Sequence, residues 1–139
     1  MKSFNYKFLY IDSSVAILVL NNELSKKNLN AQLIVSHEIL VAEILSFVTR
    51  DRFPSEKYEE FLSKVAIQHL VAPIKWCKQV LHYGYCKGAD CLHLACAMSM
   101  SSPKYSELTF LTCDIRQGEI ARKIGFNVPE LLVGDKKKL

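Results

Sequence analysis

Phe8-Leu9-Tyr10-Ile11-Asp12-Ser13-Ser14 is the stretch on which the fold turns. Four consecutive apolar residues are too short for a helix, and the abrupt change to Asp-Ser-Ser ends them, so they read as a buried strand. A strand that is apolar at every position, not at alternate ones, belongs in a parallel sheet covered on both faces. The apolar segment after it, Ser14 to Leu20, reads as a helix.

The alternation continues along the chain. Leu33 to Val35 gives a second strand, and Ser36 predicts the cap of a helix from His37 to about Thr49, with Glu38 in its first turn favouring the dipole. Phe53-Pro54-Ser55 opens a helix through Lys64 that carries Tyr58, Phe61 and Leu62 on one face. Ala66 to Val71 reads as a third strand, and Pro73 begins a helix to about Tyr83. Gly88 precedes a helix from Ala89 to Met100, Leu108 to Thr112 gives a fourth strand, and Ile115 to Ile124 a helix stopped by Gly125. Phe126 to Leu131 reads as a short last strand, with Pro129 assigning it to an edge. Strands alternating with helices predict an α/β fold with a central, mostly parallel sheet.

A chain of 139 residues, 50% hydrophobic and 23% charged, is the size and composition of one globular domain, and no linker or repeat divides residues 1–139. The net charge of +4 tolerates a polyanionic partner without demanding one, and Lys136-Lys137-Lys138 reads as a solvated end. The five cysteines are odd in number and form no CxxC pair, as expected for buried thiols in a reducing compartment. A zinc site from Cys86, Cys91 and His93 fits no standard spacing. Asp12-Ser13-Ser14 breaks the first apolar run too early for a signal peptide, and no run approaches the ~18 apolar residues of a membrane span. The expectation is a cytoplasmic protein that makes no use of a membrane.

Four acids stand against apolar runs: Asp12 after Ile11, Glu43 between Val41-Ala42 and Ile44-Leu45, Asp90 before Cys91-Leu92, and Asp114 after Thr112-Cys113. A carboxylate in such a setting needs a partner, because lost hydration costs several kcal/mol, and no Lys or Arg lies within these runs. Each acid also has a simpler reading: Asp90 as a first-turn helix acid, Asp12 and Asp114 as strand-end turn residues. Asp12 and Asp114, however, fall at the carboxyl ends of strands, where open α/β sheets bind ligands. Oxygen ligands without soft ones point to a hard cation, Mg²⁺ or Mn²⁺, and such sites mostly handle phosphates. Neither GxGxxG nor GxxxxGK[ST] is present to cradle a nucleotide, which makes phosphodiester hydrolysis the simpler chemistry.

Tyr10-Ile11-Asp12-Ser13-Ser14, then Ser36 through Glu43-Ile44-Leu45, then Gly88-Ala89-Asp90-Cys91-Leu92-His93-Leu94-Ala95, then Leu111-Thr112-Cys113-Asp114 with Ile120-Ala121-Arg122 and Gly125-Phe126 complete the pattern. In this order and spacing they resemble the PIN-domain nucleases, particularly the VapC-type toxins of toxin–antitoxin pairs, over almost the whole chain. The resemblance implies a three-layer α/β/α domain and a Mg²⁺- or Mn²⁺-dependent endoribonuclease. By position, Asp12, Glu43, Asp90 and Asp114 match the family's acidic quartet as catalytic metal ligands, and Ser13 and Thr112 its hydroxyl neighbours. The implied mechanism is in-line attack of metal-activated water on an RNA phosphodiester, leaving a 5′-phosphate and a 3′-hydroxyl. The implied partners are an RNA substrate, a cognate antitoxin and a second copy in a homodimer.

His93, three residues after Asp90 on one helical face, reads as a packed or supporting histidine in preference to a general base. Arg116 and Arg122 are open to either reading, as phosphate contacts or as a solvated helix surface. Other readings of the same motifs are a PIN nuclease of RNA maturation or of structured DNA, and a non-catalytic PIN-like binding module. A response-regulator receiver would need an acidic pair before its phosphoacceptor strand and a lysine after the last strand, and neither arrangement occurs.

Overall fold

Strands β1 (Tyr6–Ile11), β2 (Ala31–His37), β3 (Val65–Gln68) and β4 (Leu108–Leu111) form one parallel sheet in the order β3-β2-β1-β4 in the computed structural model, which describes residues 3–132. Helices α1 (Ser13–Leu20), α2 (Ile39–Asp51), α3 (Ser55–Ser63), α4 (Pro73–Leu81), α5 (Gly88–Ser101) and α6 (Ile115–Ile124) fill the connections, with short 3₁₀ turns at Lys26–Leu29 and Tyr105–Glu107. The register pairs Phe8 with Leu33 on one side of β1 and with Leu108 on the other.

Side chains alternate across the strands, so the sheet divides the core in two. Leu9, Ile11 and Leu111 pack with Val15, Val19, Leu40, Ile44 and Phe47 of α1 and α2. Tyr10, Val35 and Phe110 pack on the opposite face with Leu94, Ala97 and Met98 of α5 and with Ile120 and Ile124 of α6. Tyr10 and Phe110 stack at 5.2 Å across the β1–β4 pair, and Phe110 stacks on Phe126 at 5.8 Å. Two helical layers around one sheet give the three-layer α/β/α architecture expected of the sequence.

The strand order fixes where a site can form. The chain steps outward from β1 to β2 to β3, then crosses back to lay β4 on the other side of β1. The connections therefore diverge between β1 and β4, and in open α/β sheets the crevice at such a switch point holds the ligand. Asp12 follows β1 directly, and Thr112, Cys113 and Asp114 follow β4.

Three local expectations are corrected. Ser36 does not cap α2: β2 continues to His37, because Ser36 pairs with Ile67 and His37 with Gln68 of β3. The Ser36 hydroxyl is buried and donates to the Ile11 carbonyl at 2.6 Å, while the cap bond comes from His37 Nδ1, which accepts from the Ile39 amide at 3.0 Å. The third strand is Val65–Gln68, not Ala66 to Val71, since the chain leaves the sheet to reach Pro73 of α4. Among the described residues Phe126 to Leu131 forms no strand beyond a single parallel bridge from Asn127 to Thr109. Proline at 129 has no amide hydrogen with which to extend that ladder. The lysines at 136–138 lie outside the described residues.

Candidate active site

Asp12 is almost wholly buried, at 3% exposure, and the hydrogen bonds it accepts come from the first turn of α1 and from Thr112 just after β4. Oδ1 accepts from the Ser14 hydroxyl at 2.6 Å and from the Val15 amide at 3.1 Å, which makes Asp12 the N-cap of α1. Oδ2 lies 2.6 Å from the Thr112 hydroxyl. Burial pushes the Asp12 carboxyl above the usual carboxylate range, and the bonds from Ser14, Thr112 and Val15 offset this only in part. A capping role and a functional one therefore coexist in the same side chain.

Asp114 caps α6 in the same way, with Oδ1 accepting from the Gln117 amide at 2.8 Å, and it is exposed. Asp90 stands half-buried in the first turn of α5. Burial raises its carboxyl, and the charges of Asp114 and Asp12 and, less strongly, Glu43 raise it further, against a smaller lowering by His93. Asp90 thus lies within electrostatic reach of the other three acids, at the end of the sheet where Asp12 and Asp114 follow β1 and β4.

Glu43 enters from α2 with a partner that the sequence did not assign to it. Its Oε1 lies 3.2 Å from Nε2 of His93, whose side chain is 1% exposed. Burial raises the Glu43 carboxyl, but hydrogen bonds from His93 and Ser13 and the His93 charge outweigh it, leaving Glu43 below the usual range. Nδ1 of His93 sits 2.8 Å from the Tyr10 hydroxyl, and the two rings meet edge to face at 5.7 Å. With both ring nitrogens engaged, His93 is not a ligand beside Cys86 and Cys91. Those thiols are free, and Cys91 is pushed up to about 12 by burial and by Cys77 and Cys86, which leaves it protonated.

Gln117 is a site residue that sequence reading missed. A glutamine in a polar helix carries no signal, yet this one is 1% exposed. Its amide nitrogen donates to the Asp90 carbonyl at 3.2 Å, and its Oε1 lies 2.8 Å from the Thr112 hydroxyl. The single Thr112 proton serves either Asp12 or Gln117 at a given moment, and the Thr112 oxygen also accepts the Asp114 amide at 3.1 Å. Thr112 and Gln117 together brace three of the four acids. Ser14 adds a further tie, accepting the Cys113 amide at 3.1 Å.

Arg116 and Arg122 are held by main-chain carbonyls, Arg116 Nε donating to Tyr85 at 2.9 Å and Arg122 Nη2 to Val128 at 3.3 Å. Arg116 adjoins Asp114 at the rim, while Arg122 lies two turns further along α6. A groove of about 520 Å³ leads from Glu43 between α1 and α2, lined by Ser13, Ile17, Ala42, Ser46, Phe47 and Arg50.

The donor set is oxygen-only and electrostatically crowded, which fits a hard divalent cation. Among the described residues no three His, Cys, Asp or Glu side chains are grouped so that they could hold a metal ion between them. An open arrangement suits Mg²⁺, which keeps several waters and takes one or two carboxylates directly.

Residues 9–123 match the family model described as the PIN domain. No curated protein matches the chain. Among solved structures, the chain is similar in fold to one described as the crystal structure of VapBC2 from Rickettsia felis bound to a DNA fragment from their promoter. The TM-score is 0.65 at 15% identity, over 89% of this chain and 98% of that one. The family match takes in β1 from Leu9 through nearly all of α6 and includes all four acids, and by it this chain belongs to the PIN domain family.

Proposed function

We propose that the protein is a divalent-metal-dependent endoribonuclease and the toxin of a toxin–antitoxin pair. The observation that carries the reading is the network at the β1–β4 switch point, where Thr112 and Gln117 tie Asp12, Asp90 and Asp114 together and the charge of Glu43 on α2 is felt at Asp90. Such an arrangement is costly without a counter-cation and useful with one.

The four acids would hold Mg²⁺ or Mn²⁺, which when bound polarises a phosphoryl oxygen and makes water a usable nucleophile at neutral pH. Asp12 supplies the fixed end of the site, because Ser14, Val15 and Thr112 leave its carboxylate one orientation. Asp90 and Asp114 are held from behind by Gln117, which bonds the backbone of one and the carboxylate of the other. Asp114 and Arg116 form the open rim, where a polyanionic strand can approach. The protein's net charge of +4 favours that approach and makes binding sensitive to salt.

Membership of the PIN domain family supports the nuclease class, and the likeness to VapBC2 favours the toxin over the other PIN readings. The groove beside Glu43, apolar in part and carrying Arg50, suits a short segment of an antitoxin laid against the site. A homodimer and a cytoplasmic setting belong to the same reading, with residues 1–139 acting as one domain.

The test is cleavage of a labelled RNA stem-loop by the purified protein with chelator, Mg²⁺ or Mn²⁺, beside Asp12→Asn. Metal-dependent cleavage that Asp12→Asn abolishes supports the assignment. Cleavage that persists in chelator, or a preference for duplex DNA, sinks it.

A further inference from the structure

We infer that His93 is a positioning residue for Glu43, and that Tyr10 in turn fixes His93. The inference rests on the reading of Glu43 as a metal ligand.

His93 sits on the face of α5 that packs against the sheet, among Leu94, Ala95, Ala97 and Met98, where a leucine would fill the space without a desolvation cost. The burial is tolerated because both nitrogens are engaged. A glutamate carboxylate is an acceptor only, so the proton on this edge of the ring belongs to Nε2. In the neutral ring Nδ1 is then an acceptor. A phenol is protonated at neutral pH, so the Tyr10 hydroxyl donates to Nδ1. The result is a directed chain from the Tyr10 hydroxyl through His93 to Glu43, with spans of 2.8 and 3.2 Å.

The chain does something that packing alone does not. Glu43 comes from α2 and His93 from α5, helices on opposite faces of the sheet, and Tyr10 belongs to β1, the strand that ends in Asp12. A glutamate has three rotatable bonds, and ordering it costs on the order of 1.5–2 kcal/mol. The histidine bond, backed by the Tyr10 hydroxyl, fixes that side chain relative to the strand that carries Asp12. One bond at Oε1 leaves acceptor capacity for a cation, since a carboxylate offers about four lone-pair sites.

The experiment measures Mn²⁺ binding calorimetrically on the full chain, for wild type, His93→Leu, His93→Gln, Tyr10→Phe, Glu43→Gln and the double variant His93→Leu/Glu43→Gln. His93→Leu should weaken Mn²⁺ binding by about 10-fold or more, the scale for loss of a hydrogen bond to a ligand. His93→Gln, whose amide can still donate toward Glu43, should recover most of that loss. Tyr10→Phe should weaken binding to a smaller degree. In the Glu43→Gln background, His93→Leu should add nothing, because it acts through Glu43. Unchanged affinity in His93→Leu, or a loss of the same factor in both backgrounds, overturns the inference. Circular dichroism identifies variants that do not fold. Should His93→Leu be one, Tyr10→Phe decides the matter in both backgrounds, and unchanged affinity there overturns it. A wild type that takes up no Mn²⁺ overturns the metal-site reading, and this inference with it.

Discussion

The Thr112 hydroxyl lies 2.6 Å from Asp12 Oδ2 across 100 positions of sequence, tying the ends of β1 and β4 at the point where the acids meet. The two carboxylates that cap α1 and α6 are thereby set by the sheet and not by their helices alone.

Replacing Asp90 by Asn keeps the shape of the first turn of α5 and removes a negative ligand. Metal-dependent RNA cleavage should fall by at least ~10²-fold, the scale of losing one major electrostatic contribution. Gel-resolved cleavage rates with Mn²⁺ and with chelator measure it, and full activity in Asp90→Asn would remove this residue from the site.

Metal should also act on stability. An ion that binds only the folded chain contributes about 2.7 kcal/mol at a hundredfold excess over its Kd. For a chain of this size, Mn²⁺ should raise Tm by roughly 10 °C. Asp90→Asn should show a much smaller rise, yet melt no lower than wild type in chelator, since one repelling charge is gone. A wild type indifferent to Mn²⁺ together with a destabilised variant would mean that the acids are structural.

Acidification gives a second handle on the same acids, raised by burial at Asp12 and by burial and neighbouring charges at Asp90. Asp12 and Asp90 hold their protons more tightly in the folded chain than in the unfolded one. Their stabilising contribution is present below the unfolded value and lost as pH rises through the raised, folded value. Glu43 has the opposite sign: its contribution is present above its unfolded value and lost as pH falls through its lowered one. Metal-free wild type should therefore gain stability relative to Asp90→Asn as pH drops from about 7 to about 4, before Glu43 protonates. Urea denaturation of the pair in chelator reads the difference, and a gap that narrows on acidification contradicts the assigned direction.

Gly125 ends α6 with φ +119, and its amide and that of Phe126 both donate back to the Ala121 carbonyl. A Cβ there would meet only Tyr105 at 3.6 Å, so the cost of Gly125→Ala is conformational and not steric. The expected loss is about 1–2 kcal/mol, a Tm drop of roughly 5 °C, with Mn²⁺ affinity unchanged. A lost ion affinity would mean that α6 positions the acids more tightly than its hydrogen bonds imply.

Single-stranded loops should be cut in preference to continuous duplex, because their bases can splay away from the stack, and binding should weaken steeply with salt. Equal cleavage of a hairpin loop and of its stem would argue for a structure-specific nuclease.

Much of this was legible in the residues because burial leaves a mark on composition. Runs such as Leu9-Tyr10-Ile11 and Thr109-Phe110-Leu111 announce a sheet covered on both faces, and an aspartate directly after the first and three residues after the second announces its carboxyl end. Gly125 was readable as a stop for the same local reason. What failed depended on distant partners. Ser36 looks like a cap until β3 pairs with it, and Phe126 to Leu131 looks like a strand until its contact with β4 proves to be a single bridge at Thr109. Gln117 and the His93–Glu43 bond are invisible in sequence, since a buried polar side chain is recognised only by what surrounds it.

The crossing from β3 back to β4 also orders events during translation. Asp12, Glu43 and Asp90 leave the ribosome well before Leu108–Leu111, yet Asp12 acquires its Thr112 contact and its Asp114 neighbour only when that last strand docks on β1. A nascent chain halted between Asp90 and β4 carries three of the acids and no assembled crevice. If the pocket is the cutting edge proposed above, the chain has no blade until β4 has left the ribosome and docked on β1.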